Sequence, residues 1–143
     1  KVVEYESLEG DDVIGLLATG LKKLKAEPVL VSTDKDMKTI PCNLFNPDKP
    51  ELGITYTSEK EADYNHLFQT LTGDATDGYK GCPSVGPKSA ERLLVEPTWD
   101  TVKKAYEING LTEQDALVQA RVARILRHGE FDPKKKEVML WEP

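Results

Sequence analysis

Three groups of carboxylates in this sequence have the spacing to do chemistry: Glu9-Gly10-Asp11-Asp12, Thr33-Asp34-Lys35-Asp36 and Gly73-Asp74-Ala75-Thr76-Asp77-Gly78. Carboxylate oxygens are hard ligands for Mg²⁺, which keeps several waters and needs only a few protein donors. Two such ions about 4 Å apart can clamp the attacking water and the leaving oxygen of a phosphodiester. That chemistry calls for many acids, because neighbouring carboxylates without a cation repel and raise one another's pKa. Glu9 and Asp12 are three apart and share a face if a helix starts early. Asp34 and Asp36 point the same way on an extended segment. Asp74 and Asp77 lie between glycines that let backbone approach closely. Each group alone has an ordinary reading: acids favour a helix's first turn, Asp-rich turns are common, and acidic loops are solvated. Their company, at the ends of elements within about 70 residues, is the informative feature.

A second pattern follows at once. The stretch Gly78-Tyr79-Lys80-Gly81-Cys82-Pro83-Ser84-Val85-Gly86-Pro87-Lys88-Ser89-Ala90 places glycines around a tight turn that runs into a helix start. Such a turn directs backbone N–H groups onto a phosphate. Val85, Ala90 and Leu93 would seat it on a core. This is the pattern of a helix-hairpin-helix, which holds duplex DNA by its backbone without reading sequence. Lys80, Gly81, Ser84, Gly86, Lys88 and Arg92 are its candidate DNA contacts. The ordinary alternative is a Gly/Pro loop before a helix. Arg121, Arg124 and Arg127 recur every third residue and are expected to form a basic stripe on one helix. Lys134-Lys135-Lys136 follow. His66 and His128 lack metal-ligand spacing and read as structural. Trp99, Trp141, Phe68 and Phe131 read as core. Cys42 and Cys82 read as free thiols.

The elements that must position these residues alternate between strand and helix. A short strand is expected at Val2–Tyr5, a helix at Asp11–Lys25 with a wide apolar stripe, and a buried-type strand at Val29–Val31. Further short strands are expected at 39–46 and 53–57. Ser58 and Glu61 form a capping box that opens a helix to about Leu71. Pro87 suits the first position of a helix to Leu94. Helices at 98–108 and 112–128 and a last strand at Glu137–Trp141 complete an α/β pattern. It divides into residues 1–72 as the C-terminal part of an α/β core, 73–96 as the hairpin motif and 97–143 as a helical region with a final strand.

The 143 residues fit one domain with a core or a large piece of a somewhat bigger domain. A net charge of −6 argues against a simple basic DNA-binding face. That objection weakens if the seven acids Glu9, Asp11, Asp12, Asp34, Asp36, Asp74 and Asp77 hold cations. No apolar run approaches the roughly 20 residues of a membrane span, so no membrane partner is expected. No secretory signal is legible.

In order and content these motifs resemble the 5′-nucleases, a superfamily that includes flap endonucleases and the 5′-nuclease domain of bacterial DNA polymerase I. The resemblance extends to the 5′→3′ exonucleases of T-seven-like bacteriophages through Lys35-Asp36-Met37-Lys38-Thr39-Ile40-Pro41, His66-Leu67-Phe68-Gln69-Thr70, Asp77-Gly78-Tyr79, Ala123-Arg124-Ile125-Leu126-Arg127 and Leu140-Trp141-Glu142-Pro143. It covers nearly the whole chain. It implies part of a PIN-like α/β core with a helix-three-turn-helix and C-terminal helices. It implies two divalent ions, Mg²⁺ or Mn²⁺, with Glu9, Asp11 and Asp12 in or near the first site and Asp34, Asp36, Asp74 and Asp77 in the second. It implies K⁺ at the hairpin and phosphate contact by Lys88. The implied partners are duplex DNA with 5′ ends or flaps, RNA–DNA hybrids and phage replication proteins, in the cytoplasm of a bacterial host. Gly10 stands where relatives carry Ala. Ser84 stands where the hairpin has Gly, and a positive φ there would strain a serine. The family's opening strand, which ends in Asp, and its arch do not precede Lys1, so this polypeptide alone is expected to be poorly active. Two rivals remain: an inactive fragment that serves as a duplex-DNA-binding module, and an Asp-x-Asp phosphotransferase that would have no use for the hairpin.

Overall fold

The computed structural model describes residues 2–143. The chain divides into two compact units, one formed by residues up to Ala62 with Ile125–Leu140, the other by Asp63–Arg124 with Trp141–Pro143. Helices together with a small mixed sheet make it an α/β fold.

In the first unit, helix α1 spans Gly10–Lys23, with Asp11 and Asp12 in its first turn and Lys22 and Lys23 in its last. Both placements suit the helix dipole. Strands β1 (Val29–Val31), β2 (Asn43–Phe45) and β3 (Ile54–Tyr56) form one sheet in that order. β1 and β2 run parallel with Leu30 opposite Leu44, and β2 and β3 run antiparallel. The core gathers Ala18, Met37, Ile40, Cys42, Leu44 and Ile125, with Ile14 and Leu30 packed on it. Residues in register share a sheet face. The face opposite Leu30 and Leu44 therefore carries Val29, Val31, Ile54 and Tyr56, all substantially exposed. Residues 39–46, expected as one strand, begin instead inside a 3₁₀ turn over Lys35–Thr39. Val2–Tyr5 is not a strand. Tyr5 meets Phe131 edge-on at 5.7 Å, and Glu6 pairs with Lys136. β4 (Phe131–Asp132) and β5 (Glu137–Val138) close a small hairpin, so the expected last strand is realised at its first two residues only.

Helix 112–128 is shorter than its pattern suggested. It ends at Val122, and residues 125–128 run along α1 instead. The Leu126 N–H donates to Asp12 Oδ1 at 3.0 Å, and the His128 N–H donates to Thr19 Oγ1 at 2.7 Å. Side-chain acceptors on α1 thus replace the intrahelical carbonyls those amides would otherwise need. Arg121, Arg124 and Arg127 are consequently not a stripe on one helix. Arg127 lies in the first unit and donates to the Thr39 carbonyl at 2.9 Å.

The second unit holds most of helix α2 (Glu59–Thr72), then α3 (Pro87–Leu93), α4 (Trp99–Ile108) and α5 (Glu113–Val122). The Ser58–Glu61 box caps α2, with reciprocal bonds of 2.8 and 3.3 Å. Thr112 and Asp115 do the same for α5. The core joins Leu67, Leu71, Cys82, Val85, Ala90, Leu94, Val102, Ala105, Tyr106 and Ala116. Phe68 and Trp99 are only partly buried against it, and Trp141 and Phe131 are also half-buried. His66 is buried, and its Nε2 donates to the Ala120 carbonyl at 2.8 Å. His128 is exposed. Cys42 and Cys82 are free, buried thiols, and burial pushes Cys42 up to about 11. No helix among the described residues is long and apolar enough to cross a membrane.

The crossing of 125–128 over α1 needs a glycine. A Cβ at Gly15 would collide with the Leu126 carbonyl oxygen and come within 2.9 Å of Ile125 Cγ2. Overpacking of this kind costs about 1–3 kcal/mol. Gly15→Ala should lower stability by that amount in a denaturant titration; an unchanged midpoint would show that this segment does not lie on α1.

Candidate metal centre and nucleic-acid interface

In the first unit, Glu9 is the N-cap of α1 and is extended, with no side-chain capping bond, and it is exposed. Asp11 and Asp12 are half-buried in the turn that follows. Burial raises the Asp12 carboxyl above its ordinary value; the Leu126 N–H works against this, and the charge of Glu9 adds to the push. Asp12 therefore has a structural task as well as a charge. Its Oδ1 anchors the returning chain, and its protonation responds to Glu9.

Asp34 and Asp36 follow the end of β1. The Asp34 N–H donates to Ser32 Oγ at 3.0 Å, and Asp34 Oδ1 accepts the Asp36 N–H at 2.9 Å. Asp34 thereby caps the 3₁₀ turn Lys35–Thr39, which buries Met37 and Thr39 and leaves Asp36 half-buried. The two acids sit at the carboxyl end of a parallel strand, where open α/β sheets place their ligands.

In the second unit, Asp74 and Asp77 occupy one closed loop. Asp74 is 8% exposed and Asp77 is exposed. Each offers a carboxylate oxygen within 4.8 Å of the other. Two oxygens bound to one Mg²⁺ at about 2.1 Å lie at most about 4.2 Å apart. The pair therefore needs only a small side-chain adjustment to share an ion, and a hard, anionic donor set suits that ion. Asp74 Oδ1 accepts the Thr76 N–H at 2.8 Å, which turns the loop. Asp74 and Tyr79 exchange backbone bonds, N–H to O, of 2.9 and 3.1 Å. Tyr79 is buried beneath them.

The loop closes where Gly73 meets Gly81. A Cβ on Gly73 would strike the backbone of Lys80 and Gly81, and one on Gly81 would strike Gly73, Leu71 and Thr72. Both glycines also have positive φ, +68° and +66°. The Cys82 N–H donates to the Leu71 carbonyl at 2.8 Å just beyond. The hairpin then runs from Cys82 to α3, with Val85 and Ala90 in the core. Lys80, Ser84, Gly86, Lys88 and Arg92 are exposed along it. Gly81 differs from the sequence expectation. It is buried, and its N–H donates to Gln119 Oε1 at 2.9 Å, so that amide is not turned towards a phosphate. Gln119 is the residue that sequence reasoning missed. A glutamine on a mixed helical face carries no signal in a single sequence.

The chain is thus an α/β protein with paired aspartates on a loop that leads into an exposed, glycine-bearing turn with Lys80, Lys88 and Arg92 around it. No protein-family model matches it. Curated relatives do. The chain is 35% identical to the exodeoxyribonuclease of Enterobacteria phage T3 over 170 residues, covering 95% of this chain and 56% of that one. It is 34% identical to the exonuclease of Escherichia phage T7, with the same coverages of 95% and 56%. It is 27% identical to the 5′-3′ exonuclease of Buchnera aphidicola, over 98% of this chain and 57% of that one. The chain thus spans a little over half the length of these relatives. It belongs to the 5′-nuclease family.

Ser84 has φ of +62°. An L-residue other than Gly, Asn or Asp in the left-handed region costs roughly 1–2 kcal/mol, partly offset by the chain entropy that a glycine would lose. Ser84→Gly should therefore stabilise the protein by about 0.5–1 kcal/mol. The check is the urea midpoint, which should rise; a fall would mean that the serine's own bonds outweigh the strain.

Proposed function

We propose that this chain is the metal-binding and DNA-gripping portion of a 5′→3′ exonuclease of flap-endonuclease type. Its substrates are duplex DNA with 5′ ends or flaps and RNA primers in hybrids, and its setting is phage replication. In this reading Glu9, Asp11, Asp12, Asp34, Asp36, Asp74 and Asp77 hold two Mg²⁺ or Mn²⁺ ions. When bound, such ions lower the pKa of an attacking water and neutralise charge on the leaving oxygen. The chain's own contribution is placement. Asp74 and Asp77 are fixed by a loop with backbone bonds at its base. The hairpin of residues 73–96 presents Lys80, Ser84, Gly86, Lys88 and Arg92 to the sugar-phosphate backbone, with K⁺ as its monovalent ion. Phosphate contacts of this kind set register and carry no sequence information.

The observation that carries the reading is the Asp74–Asp77 pair on a loop continuous with that exposed hairpin. Two carboxylates with oxygens within 4.8 Å of one another can share one hard divalent cation, and the hairpin would give that ion a substrate to act on. Asp74→Asn and Asp77→Asn test it. Each should raise the Kd for Mn²⁺, read by electron paramagnetic resonance titration of the full chain, at least tenfold, or about 1.4 kcal/mol. In the complete enzyme each should also abolish metal-dependent release of nucleotides from a 5′-labelled duplex. Duplex affinity measured without divalent ions should stay within about twofold. Lys88→Ala should do the reverse: weaker duplex binding with a salt slope smaller by about 1 and unchanged Mn²⁺ affinity. Unaltered Mn²⁺ affinity in both Asp variants would defeat the proposal and leave a DNA-binding module.

A further inference from the structure

The neck of the acid loop receives a polar contact from a separate helix that the proposed chemistry does not use. Gln119 projects from the last turn of α5 and accepts the Gly81 N–H at 2.9 Å. Gly81 is the residue whose backbone lies directly against Gly73, at the neck of the loop that carries Asp74 and Asp77. The neck tolerates no side chain on either glycine, so close approach is its whole mechanism. Close approach alone does not fix the angle at which two backbones meet. The Cys82-to-Leu71 bond fixes one side of the neck, and the Asp74–Tyr79 bonds fix the loop above it. The Gln119 amide oxygen fixes the remaining direction, because it engages the Gly81 N–H from a separate helix. That helix is itself set by the Thr112–Asp115 cap at one end and by the buried Ala116 and Ala120 along its face.

We infer that Gln119 is a positioning residue for the metal-binding loop, holding Gly81, and through the Gly73–Gly81 contact the carboxylates of Asp74 and Asp77, in the geometry that captures a divalent ion. This rests on the reading of Asp74 and Asp77 as ion ligands. Gln119 touches neither acid. It acts through backbone, so its chemistry reduces to one requirement, an acceptor oxygen at the reach of a glutamine side chain. Glutamate meets that requirement, and methionine, of similar length and shape, does not. Outer contacts that orient ligands typically change metal affinity 10–100-fold.

The test compares Gln119→Met with Gln119→Glu in the full chain, with Mn²⁺ as the probe. Two readouts are taken: Mn²⁺ affinity by paramagnetic resonance and the hydrogen-exchange rate of the Gly81 amide. Gln119→Met should weaken Mn²⁺ binding about tenfold and speed Gly81 exchange while the melting temperature stays near that of the parent chain. Gln119→Glu should keep Gly81 protected and hold Mn²⁺ affinity within about threefold. If methionine leaves both readouts at parental values, or if affinity falls equally in both variants, Gln119 does not position the loop. If Gln119→Met melts well below the parent, Gln119→Glu decides: protection and affinity kept support positioning, and either one lost overturns it. Asp74→Asn run alongside separates the two ideas. Affinity lost there but kept in Gln119→Met sinks the positioning role alone. Affinity kept in Asp74→Asn sinks the ion site and the positioning role with it.

Discussion

The backbone-on-backbone contact of Gly73 with Gly81 is the constraint on which the candidate chemistry depends. It brings the two ends of an acidic loop together at a distance no side chain would allow. Once closed there, residues 74–79 have little freedom, because Asp74 and Tyr79 bond to each other through both backbone groups. Asp74 is then carried to the edge of the core, where it is 8% exposed, and Asp77 remains in solvent. One buried and one exposed carboxylate make a useful pair for a hydrated ion: the first supplies a fixed direction, the second an open side for water. The same closure starts the hairpin. The chain leaves Gly81, buries Cys82 and Val85, and delivers Lys88 and Arg92 to the surface. Acid loop and basic hairpin are two products of one tight neck.

A comparable economy operates in the first unit. Asp12 belongs to the acidic first turn of α1, yet its Oδ1 holds the Leu126 amide. Thr19, nearly two turns further on, holds the His128 amide. The returning segment can lie close to α1 because Gly15, between them, offers no side chain. Burial under that segment raises the Asp12 carboxyl, and the nearby Glu9 charge adds to the effect. A carboxylate in that state gains more from a neighbouring cation than one in bulk water, since the cation offsets both desolvation and like-charge repulsion.

What the sequence disclosed, and what it did not, follows from the range of the forces involved. Local chemistry was legible. The capping box Ser58–Glu61, the strand at Val29–Val31 and the helix opening at Pro87 depend on residues within one turn of one another, and each stands where its pattern put it, although Val29 and Val31 are exposed on a strand read as buried. The pairing of Asp74 with Asp77 was legible for the same reason. The glycine pattern also foretold a close backbone approach, realised where Gly73 meets Gly81, and the departure at Ser84 marked a position that does have positive φ. The failures were long-range. Nothing around Val122 announces that the helix stops there, because the acceptors that end it belong to Asp12 and Thr19, more than a hundred residues earlier. Arg121, Arg124 and Arg127 keep perfect helical spacing, yet tertiary contacts override it. Val2–Tyr5 has strand residues but no strand beside it, and β-propensity without a partner does not make a sheet.

The net charge of −6 looks ill-suited to a DNA ligand until its distribution is considered. In the second unit the exposed hairpin carries Lys80, Lys88 and Arg92, while Asp74 sits at the edge of the core with its Oδ1 already engaged by the Thr76 amide. Phosphate meets the local surface. At physiological ionic strength charges more than about 8 Å away are largely screened. Lys80 ahead of the turn and Lys88 and Arg92 on α3 can therefore attract a phosphate backbone that the whole molecule's charge would repel in dilute salt. A divalent ion held by Asp74 and Asp77 would neutralise the charge of that acidic pair. If the loop holds a metal and the hairpin holds DNA, as proposed, each would lower the electrostatic cost of the other, and that coupling should weaken as salt rises.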